Sequence, residues 1–233
     1  MNKNKDFETY LTISSRKIII LVNTNLNEKI YEEELVLKSN SKEIVIHELD
    51  KFLNENIFKI EKKIKNFIKS VCLIIDSDEI FSIQISIKKN NYGELLTKNK
   101  LTYILNEARD LCFDTLKENK IIHVLVDNYI IDGQNHINLP QRLKCNHISL
   151  DISFLCQPID STNTFEQILK KYQISIDRVL SLKYLKNYFQ NDNIDLNSII
   201  SKAHEGFNPN EALLKPKKSK NTAFFERFFH FFS

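Results

Sequence analysis

The stretch Ile121–Pro140, IIHVLVDNYIIDGQNHINLP, decides how this chain is read. Ile121 to Ile131 is dense in β-branched and aromatic side chains and reads as a strong strand. Asp132-Gly133-Gln134 turns it, and a loop holding Pro140 follows. Beyond that loop, Ile148 to Gln157 reads as another strand. Upstream, a helix is expected from about Lys100 to Glu118, with Leu101, Ile104, Leu105, Ala108, Leu111, Cys112 and Leu116 as its apolar stripe. Asn90 to Asn99 is a loop holding Gly93. Before it, Ile80 to Ile87 alternates, with Ile83, Ile85 and Ile87 against Ser82, Gln84 and Ser86, so it reads as a half-exposed strand. The segment from Ile80 to Gln157 is thus strand, helix, strand, strand.

The flanks read differently. Phe7 to Ile13, Arg16 to Asn23 and Lys29 to Lys38 are three expected strands, broken by polar turns at Ser14-Ser15 and Asn23 to Asn27. Ser41 is an N-cap candidate for a long helix to about Lys69, whose apolar positions run Val45, Leu49, Leu53, Ile57, Ile60, Ile64 and Phe67. Its charged face, including KIEKKIK, reads as a solvated helix back. Ser70 to Asp76 is a short buried strand. After the central segment come a helix over Thr164 to Tyr172, a strand over Ile176 to Ser181, a helix over Leu182 to Phe189 and one more helix over Asp195 to His204. Gly206 to Asn221 holds Gly206, Pro209 and Pro216 and reads as a mobile linker. The expected class is α+β.

Composition narrows the function. The chain has 233 residues, 42% hydrophobic, with a formal net charge of +3. That charge gives no argument for nucleic acid, and no nucleic-acid partner is expected. Cys72, Cys112, Cys145 and Cys156 are far apart and form no C-x-x-C pair, so free thiols are expected and no metal site. The histidines show no metal-ligand spacing; His123 lies within a strand and reads as packed. With three glycines, no G-x-G-x-x-G or G-x-x-x-x-G-K-[ST] loop occurs, nor a G-x-S-x-G elbow. Asp76, Asp78 and Glu79 cluster after a strand and read as a polar turn. No catalytic residue and no cofactor is expected. MNKNKDFETY lacks the apolar core of a signal peptide, and no apolar run nears the roughly 20 residues of a spanning helix. The expectation is a cytosolic chain whose membrane contact is peripheral.

That contact is expected from AFFERFFHFFS, Ala223 to Ser233. Wound at about 100° per residue, Phe224, Phe225, Phe228, Phe229, Phe231 and Phe232 share one face. Lys215, Lys217, Lys218 and Lys220 lead in. An aromatic face, a polar back and a basic approach suit a helix lying in the interface of an anionic membrane. Burying one Phe is worth about 1.5–3 kcal/mol, against which a short isolated helix is marginal.

The residues of Ile121–Pro140 resemble the bacterial cell-division protein FtsA family. His123, Val124, Tyr129, Asp132, Gly133, Gln134, Ile137 and Pro140 match that family's pattern of a histidine-valine strand, a tyrosine, Asp-Gly-Gln, an isoleucine and a proline. LTISSRK, Leu11 to Lys17, lies where the family has its first phosphate motif, and Arg178 to Phe189 resembles the segment closing that half of the actin-like fold. The resemblance implies a partial actin-like, ribonuclease H-like subdomain over residues 1–77 and 158–189, with an inserted strand-helix-strand-strand domain over 78–157. A linker over 190–222 and a membrane-targeting amphipathic helix over 223–233 complete it.

Departures from the family shape the expected function. Its phosphate motif reads D-I-G-T/S-S-K; here Thr12 stands at the acid and Ser14 at the glycine, leaving Thr12, Ser14, Ser15 and Lys17 as a degenerate motif. A hydroxyl cannot replace a carboxylate in organising Mg²⁺ and phosphate, and a side chain at the glycine obstructs backbone approach. The second actin-like half, which would close a nucleotide cleft and hold the main docking surface for the tubulin-like FtsZ, is expected to be missing. The expectation is therefore a non-catalytic adaptor that tethers division partners to the cytoplasmic face of the bacterial inner membrane. FtsZ, cytosolic tails of late division proteins and further copies of the chain are the implied partners, with Tyr129, Asp132, Gly133 and Gln134 as partner-binding residues. A nucleotide-dependent ATPase and a pilus-assembly scaffold of the PilM type are the alternatives.

Overall fold

The computed structural model describes residues 7–39, 41–140, 143–189, 198–200, 202, 206 and 208–212. The chain divides into two compact units. The first comprises Met1–Glu79 and Asp160–Glu205, the second Ile80–Ile159 and Gly206–Ser233.

The first unit is built on β1 (Phe7–Ser14), β2 (Lys17–Thr24), β3 (Lys29–Val36), β4 (Ser70–Asp76) and β9 (Ser175–Ser181), in the order β3-β2-β1-β4-β9. β1, β2 and β3 form an antiparallel meander, while β1, β4 and β9 run parallel. Parallel neighbours need crossovers. Helix α1 (Lys42–Ile64) connects β3 to β4, and α4 (Ile159–Lys171) precedes β9. The central strands are apolar on both faces, as a covered sheet requires. Tyr10, Cys72, Ile74 and Leu180 pack against Leu182, Leu185 and Phe189 at and after the start of α5 (Leu182–Tyr188), and against Ile199 and Ile200. Leu11, Leu73 and Val179, of the opposite parity, are buried as well.

Helix α1 starts as expected: the Ser41 hydroxyl accepts from the Ile44 amide at 3.4 Å. It ends five residues earlier than expected. Lys65 adopts a left-handed conformation (φ 51°) and caps the helix. The reversal buries Ile68 and leaves Phe67 72% exposed, so Phe67 does not continue the stripe.

The second unit carries a sheet of order β10-β6-β8-β5, all antiparallel, formed by β5 (Phe81–Asn90), β6 (Asn119–Ile131), β8 (His147–Pro158) and β10 (Glu211–Ala212). β7 (Gln134–His136) folds back onto the end of β6. Helix α2 (Lys98–Leu111), capped by Thr97, buries Leu101, Ile104, Leu105 and Ala108 against the sheet. The single expected helix to Glu118 is broken: Cys112 leaves helical geometry and a short α3 (Phe113–Leu116) follows. Leu111 is consequently exposed.

One expectation needs correction here. Residues 190–222 read as linker, yet Glu211–Ala212 form a strand of this sheet, β10, paired to Leu125 and Val124. Glu211 and Ala212 are buried. Residues 198–200 are helical. Most of the expected linker, the basic approach and the aromatic stretch Ala223–Ser233 lie outside the described residues.

Candidate functional site

In open parallel sheets, ligands bind outside the carboxyl ends of the strands. In the first unit those ends bring Ser14, Asp76 and Ser181 to one rim: Ser14 pairs with Asp76, and Ile75 with Ser181. The β1–β2 turn beside them contains the degenerate motif. Thr12 is 4% exposed, between Ile19 of β2 and Ile74 of β4. Ser14 closes the turn with its own side chain. Its Oγ accepts from the Lys17 amide at 3.1 Å and the Arg16 amide at 3.4 Å, and donates to the Lys17 carbonyl at 3.0 Å. Amides that could face a phosphate are thereby taken by a hydroxyl, an arrangement serine favours in turns. Ser15 is exposed. The Lys17 ammonium is paired with Glu34 Oε2 at 3.0 Å. The turn itself holds no carboxylate; the rim's carboxylate is Asp76, on the neighbouring β4.

A second polar group sits where the chain leaves and re-enters this unit. Lys42 Nζ donates to Glu79 Oε1 at 3.2 Å and to Ser161 Oγ at 2.9 Å, while Ser161 donates to Glu79 Oε2 at 2.5 Å. The Ser161 hydrogen bond, followed by that of Lys42, holds the Glu79 carboxyl below its ordinary range. Serine beside lysine suggests a nucleophile with its base, but the geometry differs. The lysine donates to the serine, the hydroxyl proton goes to a carboxylate, and Ser161 is 2% exposed. The group ties Glu79 to the start of α4.

In the second unit, the Asp132-Gly133 turn is a two-residue hairpin loop, with Ile131 opposite Gln134. Both central residues have positive φ, 47° and 85°, as the type I′ turn requires and as Asp-Gly favours. The Asp132 carboxylate accepts from the Asn146 amide at 2.9 Å and the His147 amide at 2.7 Å, fastening the turn to the start of β8. Gly133 and Gln134 are exposed. Tyr129 is not on this surface. It is 3% exposed in the core of the sheet, and burial pushes its hydroxyl up to about 12. A buried tyrosine cannot meet a partner directly, so Tyr129 is a packing residue.

The sequence reading missed the partner of His123. His123 Nδ1 lies 2.8 Å from Glu211 Oε1, and both side chains are buried. Around them, the Val126 amide donates to the Asn210 carbonyl at 2.9 Å and Asn210 Nδ2 donates to the Ile137 carbonyl at 2.8 Å. The available signal was the NPN turn followed by the apolar run in NPNEALL, Asn208–Leu214. The four cysteines are free, as expected, and burial pushes the Cys72 and Cys156 thiols up to about 12. Among the described residues no cluster of His, Cys, Asp and Glu is arranged for a metal, and no helix is long and apolar enough to cross a membrane.

No protein-family model matches the chain, and no curated protein matches it in sequence. Solved structures are similar in fold. A chain of the PilM-PilN type IV pilus biogenesis complex aligns over 80% of this chain and 50% of its own length, at 7% identity and TM-score 0.48. The cytoplasmic domain of EpsL, an inner-membrane component of the type II secretion system of Vibrio cholerae, covers 75% of this chain and 55% of that one, at 15% identity and TM-score 0.35. A protein of actin-like ATPase fold and unknown function from Bacteroides thetaiotaomicron covers 79% and 56%, at 14% identity and TM-score 0.35. The chain thus spans about half the length of these structures.

Proposed function

We propose that the chain is a non-catalytic, actin-like adaptor that holds assembly partners at the cytoplasmic face of a bacterial inner membrane. The observation carrying this reading is the β1–β2 turn. Ser14 takes the amides of Arg16 and Lys17, and Thr12 leaves the turn without a carboxylate. Such a turn offers neither the donors nor the metal support that a nucleoside triphosphate needs. An actin-like unit without that chemistry serves as a scaffold, and the aromatic stretch Phe224–Phe232 with Lys217, Lys218 and Lys220 is its proposed anchor.

Cell division is the machinery that the FtsA resemblance favours, with FtsZ or the tails of late division proteins as partners. The resemblance leans on Asp-Gly-Gln, however, and here that stretch is accounted for by its hairpin. This favours carrying a second reading, a pilus-assembly scaffold of the PilM type. Division genes or pilus genes beside the coding sequence separate the two.

Flotation on anionic vesicles, with and without Mg-ATP, tests the adaptor. Wild type should float equally in both. Phe225→Glu with Phe228→Glu should weaken binding more than tenfold, or by over about 1.4 kcal/mol. Neutralising the three lysines should weaken it less, and mainly at low salt. Flotation of the double variant at the wild-type level, or flotation that requires ATP, contradicts the proposal.

A further inference from the structure

Over Phe81–Ile87, before the charged Lys88 and Lys89, the outer edge of β5 lacks the usual protection of edge strands. Edges are normally blunted by charge, proline, bulges or brevity. β3 carries Lys29, Glu32, Glu33 and Glu34. The pairing of β9 with β4 shifts register between Val71 and Cys72, and β9 carries Asp177 and Arg178. The outer edge of β6 is covered by β10 at one part and β7 at another. β5 is different. Its ten residues pair with β8 without a register shift, and among the described residues nothing pairs along its other side. No charged or proline residue occurs from Phe81 to Ile87. Ile83 and Ile85 are only partly covered by the core beneath them, and Phe81 is 37% exposed.

The sequence of this edge identifies its occupant. Phe81–Ile87 reads FSIQISI, a palindrome about Gln84 except that Phe81 stands opposite Ile87. Antiparallel pairing keeps directly opposed residues on one face of the sheet. A two-fold axis at Gln84 therefore sets Ile83 against Ile85, Phe81 against Ile87, Ser82 against Ser86 and Gln84 against its own copy. Aromatic and β-branched pairs fall on the apolar face, and hydroxyls and amides on the polar face, both favourable across strands. A foreign peptide has no reason to match this symmetry.

We propose that β5 pairs with β5 of a second copy of this chain about a two-fold axis at Gln84, joining two five-stranded sheets into one. The contact is a single strand pair, far below the standard interface of about 1,600 Å², so the dimer is transient and forms as concentration rises. This proposal stands on the strand alone and does not depend on the adaptor reading.

Sedimentation of the full chain over a range of concentrations tests it. The wild-type mass should rise from 27.5 kDa towards twice that value. Gln84 is exposed, so its substitution leaves the core untouched. Gln84→Lys and Gln84→Glu each set like charges against each other on the axis and should weaken association about fivefold. An equal mixture of the two should recover the wild-type level, which a general disturbance of the fold would not. A wild type that stays monomeric gives the edge to a foreign peptide and overturns the proposal. So do variants that associate like wild type, or a mixture that does not recover.

Discussion

Two hairpin turns in this molecule lie where the sequence resembles motifs of the FtsA family, and they do so in opposite ways. The Ser14–Lys17 turn departs from the motif it aligns with; the Asp132–Gly133 turn matches its own. Yet both are closed by local side-chain chemistry. In the first, a serine hydroxyl bonds the turn's own backbone. In the second, an aspartate bonds the backbone of the next strand while its glycine supplies a positive φ. A matched motif therefore does not by itself mark a binding surface, because Asp-Gly is what this hairpin requires. A broken motif can be the more informative, because Ser14 bonds the backbone amides of its own turn.

The strongest way to break the comparison is to restore the acid of the first motif. Thr12→Asp places a carboxylate at a position 4% exposed, between Ile19 and Ile74. An uncompensated buried charge costs about 3–5 kcal/mol. Urea unfolding should show a loss of that order with no Mg-ATP binding gained. An unchanged midpoint with new binding would mean that the turn is a nucleotide site one residue from activity. Next comes Asp132→Ala, which removes the acceptor of the Asn146 and His147 amides. Bonds to a charged acceptor are worth about 1.5–3 kcal/mol, and the exposed turn puts the loss at the lower end. Hydrogen exchange should quicken at those two amides; unchanged exchange would return Asp132 to the candidate partner surface. The smallest effect is that of Gly133→Ala. Nothing lies within 4 Å of an added Cβ, so only the left-handed backbone resists. The expected cost is about 1 kcal/mol, read as a small shift in melting temperature.

Much of the fold was legible because its signals are local. The β-branched runs of β1, β2 and β4, the alternation of β5 and the Ser41 cap each carry their own evidence. What was misread depends on distant partners. Lys65 ends α1 in a left-handed conformation without a glycine, while apolar spacing continues through Phe67; only the burial of Ile68 reveals the stop. β10 is two residues long, and its partners Val124, Leu125 and the His123 side chain lie some 88 residues away. Tyr129 lies in the matched pattern, and periodicity within one strand did not tell that its face is the buried one. At the candidate site, sequence identified the substituted positions Thr12 and Ser14. The bonds that Ser14 makes to Arg16 and Lys17 appear only in three dimensions.

The central claim is that this actin-like unit works without a nucleotide. Titration calorimetry of the wild-type chain with Mg-ATP tests it most directly. The account predicts no saturable heat; saturable binding in the micromolar range would contradict it.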